Sequence, residues 1–464
     1  MDKIRIGYLP LYIKLYDDSE PEAREPMVAY TRKLIGMLEA KGFEVVAADE
    51  ICRVKAEFER AAAKFNADPG IAAVVTQHLA YSPSLESIDA LLSLHAPLIV
   101  LDTTPDYELL RYGDTEKRIM NNHGIHGVQD MCNMLKRGGK AYELCAGHAE
   151  HSGVLDEVSG LCRAAYAAKM LRECRVGMVG GEFEGMGDFH VPEAQLEAEI
   201  GMKTFKMSAE DGRFFAERVT DAEIEKELEA DAVKFEIQAE NKDNYIAATR
   251  AGLAVRKWMN ANRLDGVTVN FMHIDESGLN KMPFVECCKV LERGFGYAGE
   301  GDNLTAALVA ALLKAYPAAT FTEMFCPDWE RDVILMSHMG ELNPTLTVDK
   351  PLLIDMPFNY NDTGDTVALA GCFREGDAVL VNLAPMAKGF ALIVAPVTLL
   401  GQVEGTKAYD ARVRGWLKPA GPLTKFLKAY SLAGGTHHSA LVYDAKPEEL
   451  AAFGRTLGFE VVML

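Results

Sequence analysis

The sequence predicts an α/β chain of two doubly wound lobes, each a parallel sheet covered by helices, followed by a C-terminal β-rich domain of antiparallel, barrel-like design. Three observations support this class. Short apolar runs alternate with helical patterns over the first 171 of 464 residues. That alternation restarts near residue 172, and from about Phe321 strand patterns follow one another without long helices between them. The expected domains are residues 1–171, 172–320 and 321–464.

In the first lobe, IRIGYL reads as a strand, Glu22 to Lys41 as an amphipathic helix, FEVVAA as a strand and Ala56 to Asn66 as a helix. IAAVVTQ, PLIVLD and KAYELCAGH continue the strands, and Val154 to Leu171 forms another helix. This βαβ grammar requires a parallel sheet. The second lobe runs through CRVGMVGG, KTFKMSA, a charged helix at Asp221 to Lys234, a helix from Asn244 to Asn260, the strand DGVTVNF and a helix after Asp302. Open α/β sheets bind ligands in the crevice at the carboxyl ends of their strands. TFTEMF, DVILMSHM, PLLIDMP, DAVLVNLAPM and FALIVAPVTLLGQVEG are the strands of the third region; a helix at Pro447 to Leu457 and FEVVML end it.

The net charge of −20 excludes a nucleic-acid partner, which needs clustered Lys and Arg, and favours small neutral or cationic ligands. Nine cysteines without a Cys-x-x-Cys pair read as reduced, mostly buried thiols. The start, MDKIRIGYLP, lacks a signal-peptide core and no apolar run is long enough to span a membrane, so a cytoplasmic protein with no membrane partner is expected.

Four positions carry metal-ligand side chains beside permissive backbone. Glu300 lies in GFGYAGEGD between Gly299 and Gly301, which let the chain turn sharply; alternatively Asp302 caps the following helix and Glu300 sits in a solvated turn. Glu323 lies in TFTEMF, where an inward carboxylate needs a partner and an outward one is solvated. His338 ends an apolar strand, where a hydrogen-bonded core imidazole is the alternative. His437 and His438 follow two glycines in AGGTHHS. Carboxylates with imidazoles form a hard-to-borderline set compatible with Mn²⁺, Mg²⁺, Fe²⁺ or Co²⁺.

Three other segments carry less. VGGEFEGMGDF lacks the Gly-x-Gly-x-x-Gly spacing of a dinucleotide site. His148 and His151, at a strand end, fit surface or hydrogen-bonding roles, and DAEIEKELEAD reads as a solvated helix face.

GYAGEGD with its TAAL helix, the Glu of FTEMF, SHMGELNP and the terminal GGTHHS together resemble the L-arabinose isomerase family, within the wider L-fucose/L-arabinose isomerase-like group. HLAYSPS, HGIHGVQD and NFMHIDESGLNKMP extend the resemblance over most of the chain. It implies two Rossmann-like lobes and a β-rich domain, assembled as a homo-trimer or homo-hexamer with sites at subunit contacts. It also implies a Mn²⁺ centre held by Glu300, Glu323, His338 and His438. Glu300 and Glu323 are then the proton-transfer residues, and His126, His437 and Phe271 line the sugar site.

The implied reaction interconverts an aldose and its ketose through an enediolate. This chain differs from the arabinose enzymes at YLPLYIKLYDD (residues 8–18), at Met324 to Pro327 and at His273. The expected substrate is accordingly a pentose, hexose or deoxy-sugar. Two other readings stay open: a non-enzymatic sugar binder or sensor, and a metal-dependent epimerase or aldolase using the same enediolate chemistry.

Overall fold

The first set of alternating patterns folds as a single parallel sheet. The structure is a computed structural model describing residues 3–109 and 115–464. The chain divides into two compact units, Met1–Tyr166 and Ala167–Leu464. The first unit contains β1 (Arg5–Leu11), β2 (Glu44–Ala47), β3 (Ile71–His78), β4 (Leu98–Asp102) and β5 (Tyr142–Ala146), in the order β2-β1-β3-β4-β5 with every pair parallel. β3 is buried at every position, as a central strand covered on both faces must be. The helix Lys55–Asn66 buries Phe58, Ala61, Ala62 and Phe65, one face of a 3.6-residue period. Strand order reverses between β1 and β3, the point at which such sheets open a crevice.

The second unit begins with another parallel sheet: β6 (Arg175–Val179), β7 (Lys203–Lys206), then, after the short β8 (Glu236–Ile237), β9 (Gly266–Val269) and β10 (Gly296–Gly299). Its order is β10-β9-β6-β7. The expected loop GFGYAGEGD is therefore a strand over GYAG. It escapes strand patterning because Gly296 lies under the following helix, where an added Cβ would stand 2.1 Å from the Ala306 carbonyl oxygen. That helix, Asn303–Ala315, is buried at all but one position because it touches both the parallel sheet and the β domain.

The remaining strands are β11 (Ala319–Asp328), β12 (Val333–Ser337), β13 (Leu352–Met356), β14 (Thr366–Cys372), β15 (Gly376–Pro385), β16 (Phe390–Leu399), β17 (Val413–Pro419), β18 (His438–Tyr443) and β19 (Glu460–Met463). An additional β16–β17 pairing closes the antiparallel ring β16-β15-β18-β11-β12-β17 into a barrel. Closure leaves those six strands without an open edge. Ile334, Met336, Leu380, Ile393, Leu417 and Leu441 belong to its core.

Parallel additions qualify the antiparallel expectation: β19 joins β16, β14 joins β17, and β8 joins β13. The run FALIVAPVTLLGQVEG leaves the sheet after Leu399. The helix Leu423–Leu432 and the strands β14, β17 and β18 form segments to which the sequence reading assigned no element. Among the described residues no helix is long and apolar enough to cross a membrane.

Candidate metal centre

Two kinds of local structure bring the expected ligands together inside the second unit. The first is the carboxyl edge of its parallel sheet. There β10 delivers Glu300, and the adjacent β9 delivers Phe271 one residue beyond Asn270. Glu300 donates its backbone N–H to the Val269 carbonyl (2.8 Å), and its own carbonyl accepts the Phe183 N–H (3.1 Å). Its φ of 64° is left-handed, a strained conformation for a residue with a side chain. Gly301, at φ 84°, makes the turn possible: an added Cβ would stand 2.5 Å from the Gly181 carbonyl oxygen.

The second is strand register in the barrel. Glu323 on β11 lies opposite His438 on β18 and opposite Ser337 on β12, so the residue after Ser337, His338, arrives at the same place. Register slips between Met324 and Cys326, a bulge of the kind that re-aims side chains beside functional sites. The result is two overlapping groups, Glu300 with His437 and His438, and Glu323 with His338 and His438. In each group the potential ligand atoms lie within 4.8 Å of one another.

Buried carboxylates fix the orientation of both barrel imidazoles. His438 Nδ1 donates to Asp302 Oδ2 at 3.0 Å, and both side chains are fully buried. His338 Nδ1 donates to Glu341 Oε2 at 2.7 Å, and Tyr297 donates its hydroxyl to the other Glu341 oxygen at 2.7 Å. Each Nε2 therefore faces the glutamates: His338 Nε2 is 3.9 Å from Glu323 Oε2, and His438 Nε2 is 3.5 Å from Glu300 Oε2. His438 Nε2 is buried without a hydrogen-bond partner among the described residues. A buried, uncommitted nitrogen facing carboxylate oxygens fits a divalent cation, which the neighbouring Glu323 and His338 can also reach. Phe321 stands edge-on to both rings, at 4.9 Å and 5.0 Å between centroids, and Phe189 stacks on His438 at 5.4 Å. Gly299 makes room for His338, since a Cβ there would lie 2.7 Å from Cε1 of the ring.

The electrostatics follow from burial and proximity. Burial alone lowers the pKa of His338, but Glu341, Glu323 and Glu300 overcome it and bring it up to about 9. His437 is likewise pushed up, to about 10, against burial, by Asp188 and Glu300. Burial raises Glu323, whereas Glu300 stays below its usual range because His437, His338 and His438 outweigh its desolvation.

His437 is not free to swing: its Nδ1 and its backbone N–H both donate to Asp188 Oδ2, at 2.7 Å and 2.9 Å, and Nε2 lies 3.5 Å from Glu300. Phe271 packs among Phe183, Phe358 and Tyr360. His126 lies in the first unit, exposed, stacked on Tyr81 at 4.8 Å and on His123 at 5.1 Å.

Sequence reading missed Asp188, Phe189, Tyr297 and Glu341. It saw Asp302 only as a helix cap; Asp302 does cap, accepting the Thr305 N–H at 2.8 Å through one oxygen while the other holds His438. Glu341 was findable, three residues after His338 in a turn. Asp188 was not, since 249 positions separate it from His437.

Two doubly wound lobes and a barrel bearing this carboxylate–imidazole cluster place the chain among the aldose–ketose isomerases, intramolecular oxidoreductases. Models of the N-terminal, central and C-terminal domains of L-arabinose isomerase match residues 25–173, 190–316 and 318–460. The chain belongs to the L-arabinose isomerase family. It is 24% identical to the L-arabinose isomerase of a Nocardioides species over 480 aligned positions, covering all of this chain and 94% of that protein. It is 26% identical to that of Herpetosiphon aurantiacus, covering 83% of this chain and 78% of that one. With the Geobacillus kaustophilus L-arabinose isomerase the identity is 25%, over 88% and 84%.

Proposed function

We propose that this chain is a divalent-metal-dependent sugar isomerase whose ion, Mn²⁺ by preference, is held by Glu300, Glu323, His338 and His438. The buried, unpartnered Nε2 of His438 between the two glutamates is the observation that carries this reading. Two oxygen and two nitrogen donors suit Mn²⁺, Mg²⁺, Fe²⁺ or Co²⁺ better than a thiolate-seeking ion. When bound, such an ion supplies electrophilic stabilisation to charge developing on the substrate oxygens.

The chain's own residues move the protons. Glu300, kept ionised by its histidines, takes the proton from C2 of the aldose and returns it to C1. Glu323, raised by burial, moves a proton from O2 to O1 of the sugar. Asp188 holds His437 beside Glu300, and Phe271 with its aromatic neighbours forms an apolar wall for the sugar backbone. His126 contributes to sugar binding, from a surface bench of stacked rings that suits carbohydrate C–H faces. The substrate is a pentose, hexose or deoxy-sugar; the relatives' name makes L-arabinose the first sugar to assay.

The same reading divides the chain at residues 171 and 320, supported by the limits of the three family models. It also places the protein in the cytoplasm as a homo-trimer or homo-hexamer. An assay of Mn²⁺-loaded protein over a panel of aldoses, with products identified by NMR in D₂O, tests it. Ketose formation with deuterium at C1 or C2 is expected. Cleaved or epimerised products would point to an aldolase or epimerase, and binding without turnover to a sensor.

A further inference from the structure

The barrel mouth holds a feature that the metal cluster does not use. His338 also lines a cavity of about 520 Å³, together with Met339, Asp355, Met356, Tyr360 and Arg412. Register explains the proximity. Ser337 donates its hydroxyl to the Val413 carbonyl at 2.5 Å, so Arg412 enters β17 beside the point where His338 leaves β12.

Arg412 is exposed, and among the described residues no acidic side chain pairs with it. Two residues on, Arg414 is buried and paired with Asp410 at 3.0 Å. Asp355, the carboxylate of the same cavity, is already engaged: it accepts the backbone N–H groups of Glu240 at 2.7 Å and Asn241 at 3.2 Å. Tyr360 stands against Phe271, 5.2 Å between centroids, which joins this cavity to the aromatic wall. In a chain of net charge −20, an uncommitted guanidinium facing a cavity that is also lined by the candidate ligand His338 is a local exception. Guanidinium groups select planar, bidentate oxyanions over hydroxyls.

The geometry points to an aldose bearing an anionic group, phosphate or carboxylate, at the end remote from its carbonyl, with Arg412 binding that group. This rests on the isomerase reading for the position of the carbonyl end, and it narrows the substrate class beyond a neutral sugar.

Calorimetric binding to the full-length, Mn²⁺-loaded protein tests it without turnover, using a pentitol, the pentitol 5-phosphate, the corresponding pentonate and inorganic phosphate. Wild type should bind at least one anionic polyol about tenfold or more tighter than the neutral pentitol, the gain expected of a charge-assisted contact. The phosphate and carboxylate arms identify which anion. Arg412→Ala should erase the difference and Arg412→Lys should recover part of it. Equal binding of all three polyols, or a preference that survives in Arg412→Ala, would overturn the proposal. An anion preference in a protein that isomerises no aldose would instead overturn the isomerase reading and leave the assignment of Arg412 standing.

Discussion

The two halves of the candidate centre are built on opposite principles. Glu300 arrives on a turn after a parallel strand, in a left-handed conformation that depends on Gly301 and on close backbone packing against Gly181. Glu323 and His438 arrive by antiparallel register, directly opposite each other on neighbouring strands of a closed barrel. The first half stores strain; the second is held by ladder hydrogen bonds on both sides. The same ion site should therefore be brittle on its loop side and tolerant on its barrel side.

The largest expected effect removes chemistry without touching either scaffold. Glu323→Gln keeps shape and register and should lower kcat by about 10²–10⁴-fold while the circular dichroism spectrum is unchanged; retained turnover would remove Glu323 from the proton-transfer role. Next come the orienting carboxylates, one from each half. Asp302→Asn and Glu341→Gln should each weaken Mn²⁺ binding by about 10–100-fold, read by titration. The comparison sharpens if Asp302→Asn costs more, because Asp302 also caps the helix that follows the Glu300 turn.

Backbone substitutions come third and test the contrast itself. Gly301→Ala should destabilise the fold by about 1–3 kcal/mol in denaturant unfolding and also reduce metal affinity, since it displaces Glu300. On the barrel side, Thr322 is buried and, among the described residues, its hydroxyl has no partner. Thr322→Val should change stability by no more than ~0.5 kcal/mol, as replacing an unsatisfied hydroxyl with an isosteric methyl is near neutral.

The pH dependence has a definite sign. His338 titrates at about 9 in the metal-free protein and must be neutral to ligate, so Mn²⁺ affinity should rise about tenfold per pH unit up to about pH 9, with a proton released on binding. Because that folded-state value lies above the ordinary one, the contribution of His338 to the metal-free fold is complete below about pH 6.5 and is lost as pH rises through about 9. The Tm of metal-free protein should fall across that window, and added Mn²⁺ should restore it.

The barrel side was also the more legible in sequence. TFTEMF and DVILMSHM each announce a strand and a ligand-type side chain, the terminal HHS announces the histidines without its strand, and antiparallel pairing does the rest. The loop side hid its strand, because GYAG is spaced for close helix packing rather than for alternation. The groups that orient the histidines were hardest to see. Glu341 and Asp302 lie near ligands in sequence and carry ordinary turn and capping signals, while Asp188 reaches His437 only through the tertiary fold. Closure of the barrel through β16 and β17 was likewise invisible, since nothing local specifies which strands meet last.

Titration of chelator-stripped protein with Mn²⁺, followed by the loss of the free-ion EPR signal, tests the centre most directly. One tightly bound ion per chain is expected in the wild type, and none in the Glu300→Gln/Glu323→Gln double variant that still folds. An unchanged stoichiometry in that variant, or a wild type that binds no ion, would contradict the assignment of Glu300, Glu323, His338 and His438.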